Sequence, residues 1–430
     1  MKALSLALCV ALLLAFAGCS GPGPATRPMP ADVGPEASEE QPEATEETVE
    51  VAQPQKATEA PLPPAIPVDE NTPLAAVLKG GKWGFIDQSG AWAIAPQYRQ
   101  AFSFSEGLAP VALPDRHWAF IDKHNQVVVR VREDLIVTSG FSEGIAAVAK
   151  DNNGTPGDLF GFIDRTGKVI AEPQYARVYD FHEGSAAVEP KADSVYGFLD
   201  TTGNMAIPPL FSGPAHSFSE GLARAELAAE HKPGTSELGR GYIDKHGQFA
   251  IEAKADLSSP FGDTLTTFCG PVGDFRGGLA AANVRRSMEP GSGFVSGVID
   301  KTGATVFVGE YFRIYNFSEG LAGVDGTWDK PDVIGFVDGQ GNVAIPFQED
   351  WKVQADWGFS EGLCRVYRSG QVGYIDKSGS LVVQPQYYES SDFSQGLAAV
   401  ADSRGNWGYI DKSGKVVIAL QYQKALPFTR

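Results

Sequence analysis

The chain repeats one short phrase nine times, and this repetition constrains the fold more than any other feature. The phrase reads Gly-aromatic-Ile-Asp in clear copies such as Gly84–Asp87 and Gly408–Asp411, and Ala replaces Gly in Ala119–Asp122. Successive Asp residues of the phrase lie 35 to 56 residues apart. A period of this length is typical of proteins built from repeated supersecondary units.

Each copy predicts a β-hairpin. An apolar run ends in Asp-x-x-Gly, and a β-branched run such as Val416–Ile418 follows. The Asp can cap backbone N–H groups of the turn, and the Gly can take a positive φ. One copy has Asn125 in place of the Gly, and Asn tolerates the same backbone region. A second phrase, seen in Phe104–Ala109, predicts a turn ending in Gly and one further strand.

Residues 73–430 accommodate nine such three-stranded units, counted from Leu74. The fold class is therefore all-β. Propellers commonly have four to eight blades of four strands, so nine units of three strands favour an open β-hairpin stack, or solenoid. A closed, propeller-like ring is the alternative.

The first 18 residues resemble a secretion signal. Lys2 precedes the short apolar run Ala3–Leu14, which is too short to span a bilayer. The following Phe16–Cys19 resembles the lipobox of bacterial lipoproteins. The resemblance implies cleavage before Cys19 and lipid attachment to that residue, hence a lipid anchor in the bacterial cell envelope. Ordinary signal cleavage after Ala17 is the alternative.

Residues 19–72 predict a disordered tether. The segment is rich in Pro, Glu, Ala and Thr, contains no aromatic residue, and pairs eleven acidic residues with only Arg27 and Lys56. Proline and self-repelling charge extend such a chain, so it is expected to hold the folded part away from a membrane. A tail without selected length is the alternative.

The repeat resembles the bacterial WG (KWG) repeat. The resemblance rests on Lys82–Asp87, the downstream Pro96–Tyr98, and Phe104–Ala109, and extends over residues 73–430. It implies an envelope or cytoplasmic repeat protein with a binding role and transfers no catalytic residue. Within the repeated phrase, Trp-Gly itself occurs only at Trp83 and Trp407. Other units place Phe, Tyr, Val or Ile before the Gly, which favours core packing over Trp-specific ligand binding.

Two rows of carboxylates are candidate sites. The Asp row is Asp87, Asp122, Asp164, Asp200, Asp244, Asp300, Asp338, Asp376 and Asp411. Calcium requires six to eight oxygen ligands, whereas each loop offers one Asp, so turn capping is the favoured role. The Glu row is Glu106, Glu143, Glu183, Glu220, Glu319 and Glu361, with Gly277 and Gln395 as replacements. One carboxylate per unit is too sparse for catalysis.

Histidines and cysteines give little support to a metal site. The six histidines fall at unrelated unit positions, and no zinc spacing is present. Cys364 occupies an apolar strand position and is expected to be a buried free thiol, with a disulfide to Cys269 as the alternative. No nucleotide or hydrolase motif occurs, and a pI near 4.8 argues against a nucleic-acid partner.

These observations predict a non-enzymatic binding or scaffold module without cofactor or metal, tethered to a membrane through its N-terminal lipid. The ligand would be a protein or a glycan. An envelope glycan-acting enzyme with unplaced carboxylates and a purely structural spacer are the alternatives. The longest unit carries an insertion, Ser258–Pro271, as the place to seek a specialised contact, although a neutral insertion is the alternative.

Overall fold

The computed structural model describes most of the repeat region. The described residues are 66–152, 155–190, 192, 194–213, 216–228, 237–254, 267–285, 294–327, 330, 333–349, 351–352 and 358–430. They form 34 β-strands and no helix. The all-β prediction is therefore confirmed, whereas Cys19 and residues 19–65 of the tether lie outside the described residues.

The strands group into nine sheets, called blades 1 to 9 in chain order. Blade 1 contains β1 (Ala75–Lys79), β2 (Lys82–Ile86) and β3 (Trp92–Tyr98). Blade 2 contains β4 (Gln100–Ala101), β5 (Ala109–Ala112), β6 (Trp118–Ile121) and β7 (Val127–Arg130). Blade 3 contains β8 (Leu135–Val137), β9 (Ile145–Asn152), β10 (Thr155–Asp164) and β11 (Val169–Tyr175).

The middle of the chain forms three blades. Blade 4 contains β12 (Arg177–Val178), β13 (Ser185–Glu189), β14 (Val195–Asp200) and β15 (Met205–Ser212). Blade 5 contains β16 (Ala223–Glu226), β17 (Glu237–Ile243) and β18 (Phe249–Lys254). Blade 6 contains β19 (Thr267–Pro271), β20 (Leu279–Arg285), β21 (Phe294–Asp300) and β22 (Thr305–Gly309).

The last three blades complete the domain. Blade 7 contains β23 (Arg313–Ile314), β24 (Leu321–Asp325), β25 (Ile334–Asp338) and β26 (Val343–Gln348). Blade 8 contains β27 (Leu363–Arg368), β28 (Gln371–Asp376) and β29 (Leu381–Tyr387). Blade 9 contains β30 (Glu389–Ser390), β31 (Leu397–Ala401), β32 (Trp407–Asp411) and β33 (Val416–Tyr422), and the final strand is β34 (Lys424–Ala425).

The nine blades close into a ring. Strand β34 leaves blade 9 and pairs antiparallel with β1 of blade 1, so that Val77 faces Ala425. The closure continues beyond the strands, because the N–H of Leu74 donates to Thr429 O at 2.9 Å and the N–H of Thr429 donates back at 3.0 Å. The open stack favoured by the sequence is therefore wrong, and the alternative, a β-propeller, is confirmed.

The core lies between blades. Nine clusters of buried apolar side chains exist, and each one joins two consecutive blades. One of them joins blades 9 and 1 through Tyr409, Phe428 and Ala75. We call each contact between consecutive blades a seam. Because every unit buries its apolar faces against both neighbours, the ring supplies a core that no single unit has.

The prediction of three strands per unit is wrong for most blades. Seven sheets contain four strands, and the sheets of blades 5 and 8 contain three. In most of these sheets the additional strand has only two residues, as in Gln100–Ala101, whereas β8 has three and β19 has five. A run of two residues carries almost no period, which is why the sequence pattern does not predict it.

The glycine of the repeated phrase is required by close packing of neighbouring strands. A Cβ placed on Gly84 would lie 2.6 Å from Ile94 O and 2.7 Å from Pro96 N. The register of β2 and β3 shifts at this point, between Trp83 and Phe85. Blade 2 has Ala119 here, and its pairing of β6 with β7 shows no shift at Ala119. The Gly therefore accommodates a β-bulge.

The residue before this Gly differs between units, and so does the residue with which it pairs across the sheet. Trp118 and Trp407 pair with Ala112 and Ala401. In blades 5 to 8 the corresponding pairs are Glu226 with Arg240, Asn283 with Ser296, Asp325 with Ile334, and Tyr367 with Val372. Two of the three Trp residues therefore face a small partner, whereas Trp83 pairs with Leu78. The polar pairs show that an apolar residue is not required there.

Each blade has two distinct ends because its strands run antiparallel. The Ser-Glu-Gly-Leu turns and the Asp-x-x-Gly turns lie at one end, which we call the turn face. The connections between the middle strands lie at the opposite end, which we call the loop face. These connections vary from two residues, as in Gly80–Gly81, to the ten of 227–236. Variation in unit length is thus concentrated on the loop face.

Residues Ile66–Pro73 form a strap on the turn face. The buried Lys123 of blade 2 donates from Nζ to the carbonyls of Glu70, at 2.5 Å, and Thr72, at 2.9 Å. The N–H of Ile66 donates to Trp92 O at 2.8 Å. The strap occupies the place at which blade 1 would otherwise begin with its own Glu-Gly turn.

Candidate binding surface

The Asp row caps turns, as predicted. In all nine copies the Oδ1 atom accepts hydrogen bonds from the N–H groups two and four residues later, at 2.8 to 3.1 Å. The N–H of Gly90 also donates to Asp87 O at 3.0 Å. Each carboxylate is therefore used within its own loop, and the described residues contain no cluster of three or more potential metal ligands.

The Glu row lies in two-residue hairpin turns. Ser105 and Leu108 exchange two backbone hydrogen bonds, at 2.9 and 3.1 Å, around Glu106 and Gly107. Both turn residues have positive φ, 52° and 82°. This is the geometry of a type I′ turn, and it places a Glu in a backbone region that Glu rarely adopts.

Each Glu carboxylate reaches across a seam to the next turn. The oxygens of Glu143 accept the N–H groups of Glu183 and Gly184, both at 2.6 Å. Glu361 accepts those of Gln395 and Gly396 at 2.7 and 2.9 Å. We call this contact the clasp. Charge-assisted bonds of this kind offset the strain of the positive φ and hold neighbouring blades in register.

A cation of the next blade completes the clasp at five seams. The N–O distances are 3.0 to 3.5 Å in the pairs Arg165 with Glu106, Lys245 with Glu183, Lys301 with Glu220, Lys377 with Glu319, and Lys412 with Glu361. Where blade 6 has Gly277, blade 7 has Gly339 at the cation position. Where blade 9 has Gln395, its carbonyl accepts a hydrogen bond from Gln88 of blade 1. At these two seams the charge and its partner are lost together, whereas Glu143 keeps its charge although the cation position in blade 4 is Thr201.

The clasp changes the ionisation of two of these carboxyls. Burial raises the pKa of Glu220, but hydrogen bonds from Lys301 and from the N–H groups of Gly278 and Gly277 outweigh it, so the pKa lies below its usual value. The pKa of Glu361 is lowered against burial in the same way, by Gly396 N–H, Lys412 and Gln395 N–H. The Glu row is therefore occupied by structural contacts between blades.

Two seams contain an arginine that the sequence analysis missed. Arg224 of blade 5 donates from Nε to Asp274 Oδ1 at 2.7 Å and from Nη1 to Val272 O at 2.5 Å. Arg365 of blade 8 donates likewise to Asp392 Oδ1 at 2.7 Å and to Ser390 O at 3.0 Å. Each Arg occupies the third position of the Leu-Ala-x-Val strand, where other blades carry a small residue. Alignment of the units would have revealed these two exceptions.

One histidine belongs to this arrangement. The Nδ1 of His216 lies 2.7 Å from Nη2 of Arg224. Burial and the adjacent Arg224 lower the pKa of His216 to about 4, so the ring is neutral near pH 7 and accepts from the guanidinium. The described histidines do not gather into a metal site.

The cysteines and the insertion are only partly described. Cys364 is a free, buried thiol, as expected, and burial raises its pKa to about 12. Cys269 lies in β19, within the carboxyl-terminal part of the insertion. Residues 258–266 of the insertion lie outside the described residues. Within the described part of the chain, no helix is long and apolar enough to cross a membrane.

The loop face also carries polar side chains, which lie outside the two turn phrases. Glu189, Glu226 and Asp325 are the last residues of β13, β16 and β24, and Asn283 lies two residues before the end of β20. Between blades 6 and 7 lies a cleft of about 190 Å³, lined in part by Asn283, Ser296, Phe312 and Arg313. Arg313 also stacks over the Tyr315 ring, 5.7 Å from its centroid.

Exposed aromatic side chains accompany these polar groups. Phe312, Tyr367 and Tyr388 are 37%, 38% and 53% exposed, and all three lie at the loop-face ends of blades 7, 8 and 9. Phe312 and Tyr388 occupy equivalent positions, directly before the first strands of blades 7 and 9, whereas Tyr367 lies in β27. None of the three belongs to a turn phrase, so the turn phrases do not predict them. Aromatic and arginine side chains are the residue types enriched in protein interfaces.

Comparison with known proteins supports the repeat assignment. Residues 83–113, 160–189, 196–227, 297–325, 373–401 and 407–430 match the family described as the WG containing repeat. Among curated proteins, none matches the chain significantly.

Solved structures with partial similarity include three proteins. BamB from Moraxella catarrhalis is 11% identical with a TM-score of 0.38, over 74% of this chain and 94% of that chain. The Dos1 propeller is 12% identical with a TM-score of 0.39, over 66% and 82%. The dihydro-heme d1 dehydrogenase NirN is 15% identical with a TM-score of 0.32, over 88% and 78%. The chain described here thus carries WG repeats over the six matched stretches, within a nine-bladed β-propeller.

Proposed function

We propose that this protein is a lipid-anchored envelope protein whose propeller binds a protein partner through its loop face, without catalysis. The observation that carries the proposal is the set of exposed aromatic residues on that face, Phe312, Tyr367 and Tyr388. Large aromatic side chains that remain exposed on a folded domain mark interaction surfaces.

The non-catalytic character is supported by the use of the repeated polar residues. The Asp row caps its own turns, and the Glu row holds adjacent blades together. Neither row leaves a pair of carboxylates free to serve as acid and base. The alternative of a glycan-acting enzyme therefore needs residues outside both rows.

The anchor is supported by the sequence before the propeller. Cys19 lies where lipidation requires it, and the Pro- and Glu-rich segment after it can extend by roughly 3 Å per residue. The strap Ile66–Pro73 lies on the turn face, so the tether joins the propeller away from the loop face.

The test is site-specific photo-crosslinking of the full-length protein in intact cells. A photoreactive residue at Tyr388 or Tyr367 is expected to capture a defined protein, and one at Gln340, exposed on the turn face, is the matched control. Capture from Gln340 alone, or from none of these positions, would contradict the proposal. Adducts that disappear on glycosidase treatment would instead identify a glycan ligand.

A substitution separates binding from catalysis. Glu361→Gln removes the charge of one clasp and is expected to affect stability while leaving partner capture intact. Complete loss of function in a folded Glu361→Gln protein that still binds its ligand would favour the enzyme alternative.

A further inference from the structure

The arginine-containing seams define a repeated socket. At a seam, the third residue of the Leu-Ala-x-Val strand in one blade faces two hydrogen-bond acceptors in the next blade. We call the space between them the socket. One acceptor is the side chain of the residue immediately before the conserved Phe. The other is the backbone carbonyl of the residue three positions before that Phe. At two seams the chain's own Arg224 and Arg365 fill the socket and donate to both acceptors.

A third seam has the acid but not the arginine. Between blades 3 and 4 the residue before Phe181 is Asp180, which corresponds to Asp274 and Asp392. The residue that corresponds to Arg224 and Arg365 is Ala147, which is buried. The carbonyl of Val178 occupies the position of Val272 O and Ser390 O. The acceptors are therefore retained while the donor is missing.

The environment of Asp180 fits an incoming cation. The Ser139 hydroxyl, which donates to Gly140 O at 3.2 Å, and His182 are the only groups among the described residues with a notable electrostatic effect on Asp180. Burial raises the pKa of Asp180, because no guanidinium compensates the loss of water. Asp180 nevertheless keeps part of its surface exposed.

We propose that the socket between blades 3 and 4 binds a guanidinium group, supplied by an arginine side chain of a protein partner. A guanidinium presents its donors in a planar fork, which matches a carboxylate and a carbonyl placed side by side. An ammonium offers a point charge and satisfies this pair less well. The identity of the donor as a partner protein rests on the proposed function, whereas the guanidinium site does not.

The experiment measures binding of n-butylguanidinium to the detergent-solubilised full-length protein by NMR titration. Binding to the wild type is expected, with n-butylammonium weaker and neutral n-butylurea at least tenfold weaker. Asp180→Asn is expected to weaken n-butylguanidinium binding at least tenfold. Asp158→Asn, which removes an exposed carboxylate of blade 3, is the matched control and should bind like the wild type.

A second variant keeps the proposal falsifiable if Asp180→Asn fails to fold. Ala147→Arg retains Asp180 and supplies the guanidinium in the same chain, as Arg224 does, so it is expected to block the probe. Unchanged probe binding in Ala147→Arg, or equal binding of n-butylurea and n-butylguanidinium to the wild type, would overturn the proposal. Crosslinking from Tyr388 does not depend on the socket, so failure here leaves the proposed function to its own test.

Discussion

The turn of blade 9 offers a quantitative test of how the seams constrain the repeats. Gly414 has a φ of +84°, and a Cβ placed on it would lie 3.1 Å from Cγ2 of Val383 in blade 8. In Gly414→Val, the left-handed backbone costs a β-branched residue about 1–3 kcal/mol. Overpacking against Val383 costs about 1–3 kcal/mol more. Together these effects should destabilise the protein by about 2–6 kcal/mol.

Gly414→Asn is the matched control because blade 2 already uses Asn at this position. Asn125 has a φ of +65°, and its Oδ1 accepts a hydrogen bond from Tyr98 Oη of blade 1. Tyr387 of blade 8 occupies the position of Tyr98. An Asn at 414 can therefore gain the same bond, and its cost is expected to be about 1 kcal/mol or less.

The assay is thermal unfolding of the full-length protein followed by circular dichroism. For a cooperative unit of this size, 1 kcal/mol corresponds to about 1.3 °C, from the average unfolding entropy per residue. Gly414→Val should lower the Tm by about 3–8 °C and Gly414→Asn by about 1 °C. Equal Tm values for the two variants would refute both the turn conformation and its contact with Val383.

Three further outcomes follow from the anchor, the clasp and the closure. Cys19→Ala should release the protein from membranes and abolish labelling by fatty-acid precursors, and unchanged partitioning would contradict lipidation. Because the pKa values of Glu220 and Glu361 are lowered in the folded state, their stabilisation is present above the usual carboxyl pKa and is lost as the pH falls through the folded values. Glu220→Gln should therefore flatten the dependence of Tm on pH between about 3 and 5, and an unchanged profile would count against the clasp. Deletion of residues 424–430 removes β34 and should expose the core between blades 9 and 1, measured as faster hydrogen exchange in β1 than in β24; equal exchange would mean that β34 does not close the ring.

Several features of the candidate surface were accessible from the sequence and others were not. The Asp row could be assigned to turn capping because its partners lie within four residues. The Glu row could not be interpreted, since Glu143 bonds to residues 40 and 41 positions away across a seam. The exposure of Tyr388 could not be read from the turn phrases, because the residue lies outside both of them, directly before β30.

The sequence by itself determined the nine units, the all-β class and the conformation of the Asp-x-x-Gly turns. These depend on contacts within a few residues, and the same residues recur in every unit, so each copy supports the others. Asn125 illustrates this, because it replaces Gly in a turn whose φ of +65° only a few residue types tolerate.

Only the tertiary structure decided between an open stack and a closed ring. Closure depends on the sum of the angles between consecutive blades at nine seams. It also depends on a two-residue strand, Lys424–Ala425, that pairs with β1. Nothing in the local sequence of that strand distinguishes pairing with blade 1 from pairing with a further unit. The tertiary structure likewise decided the roles of the Glu row and of Arg224, because both act on the neighbouring blade rather than on their own.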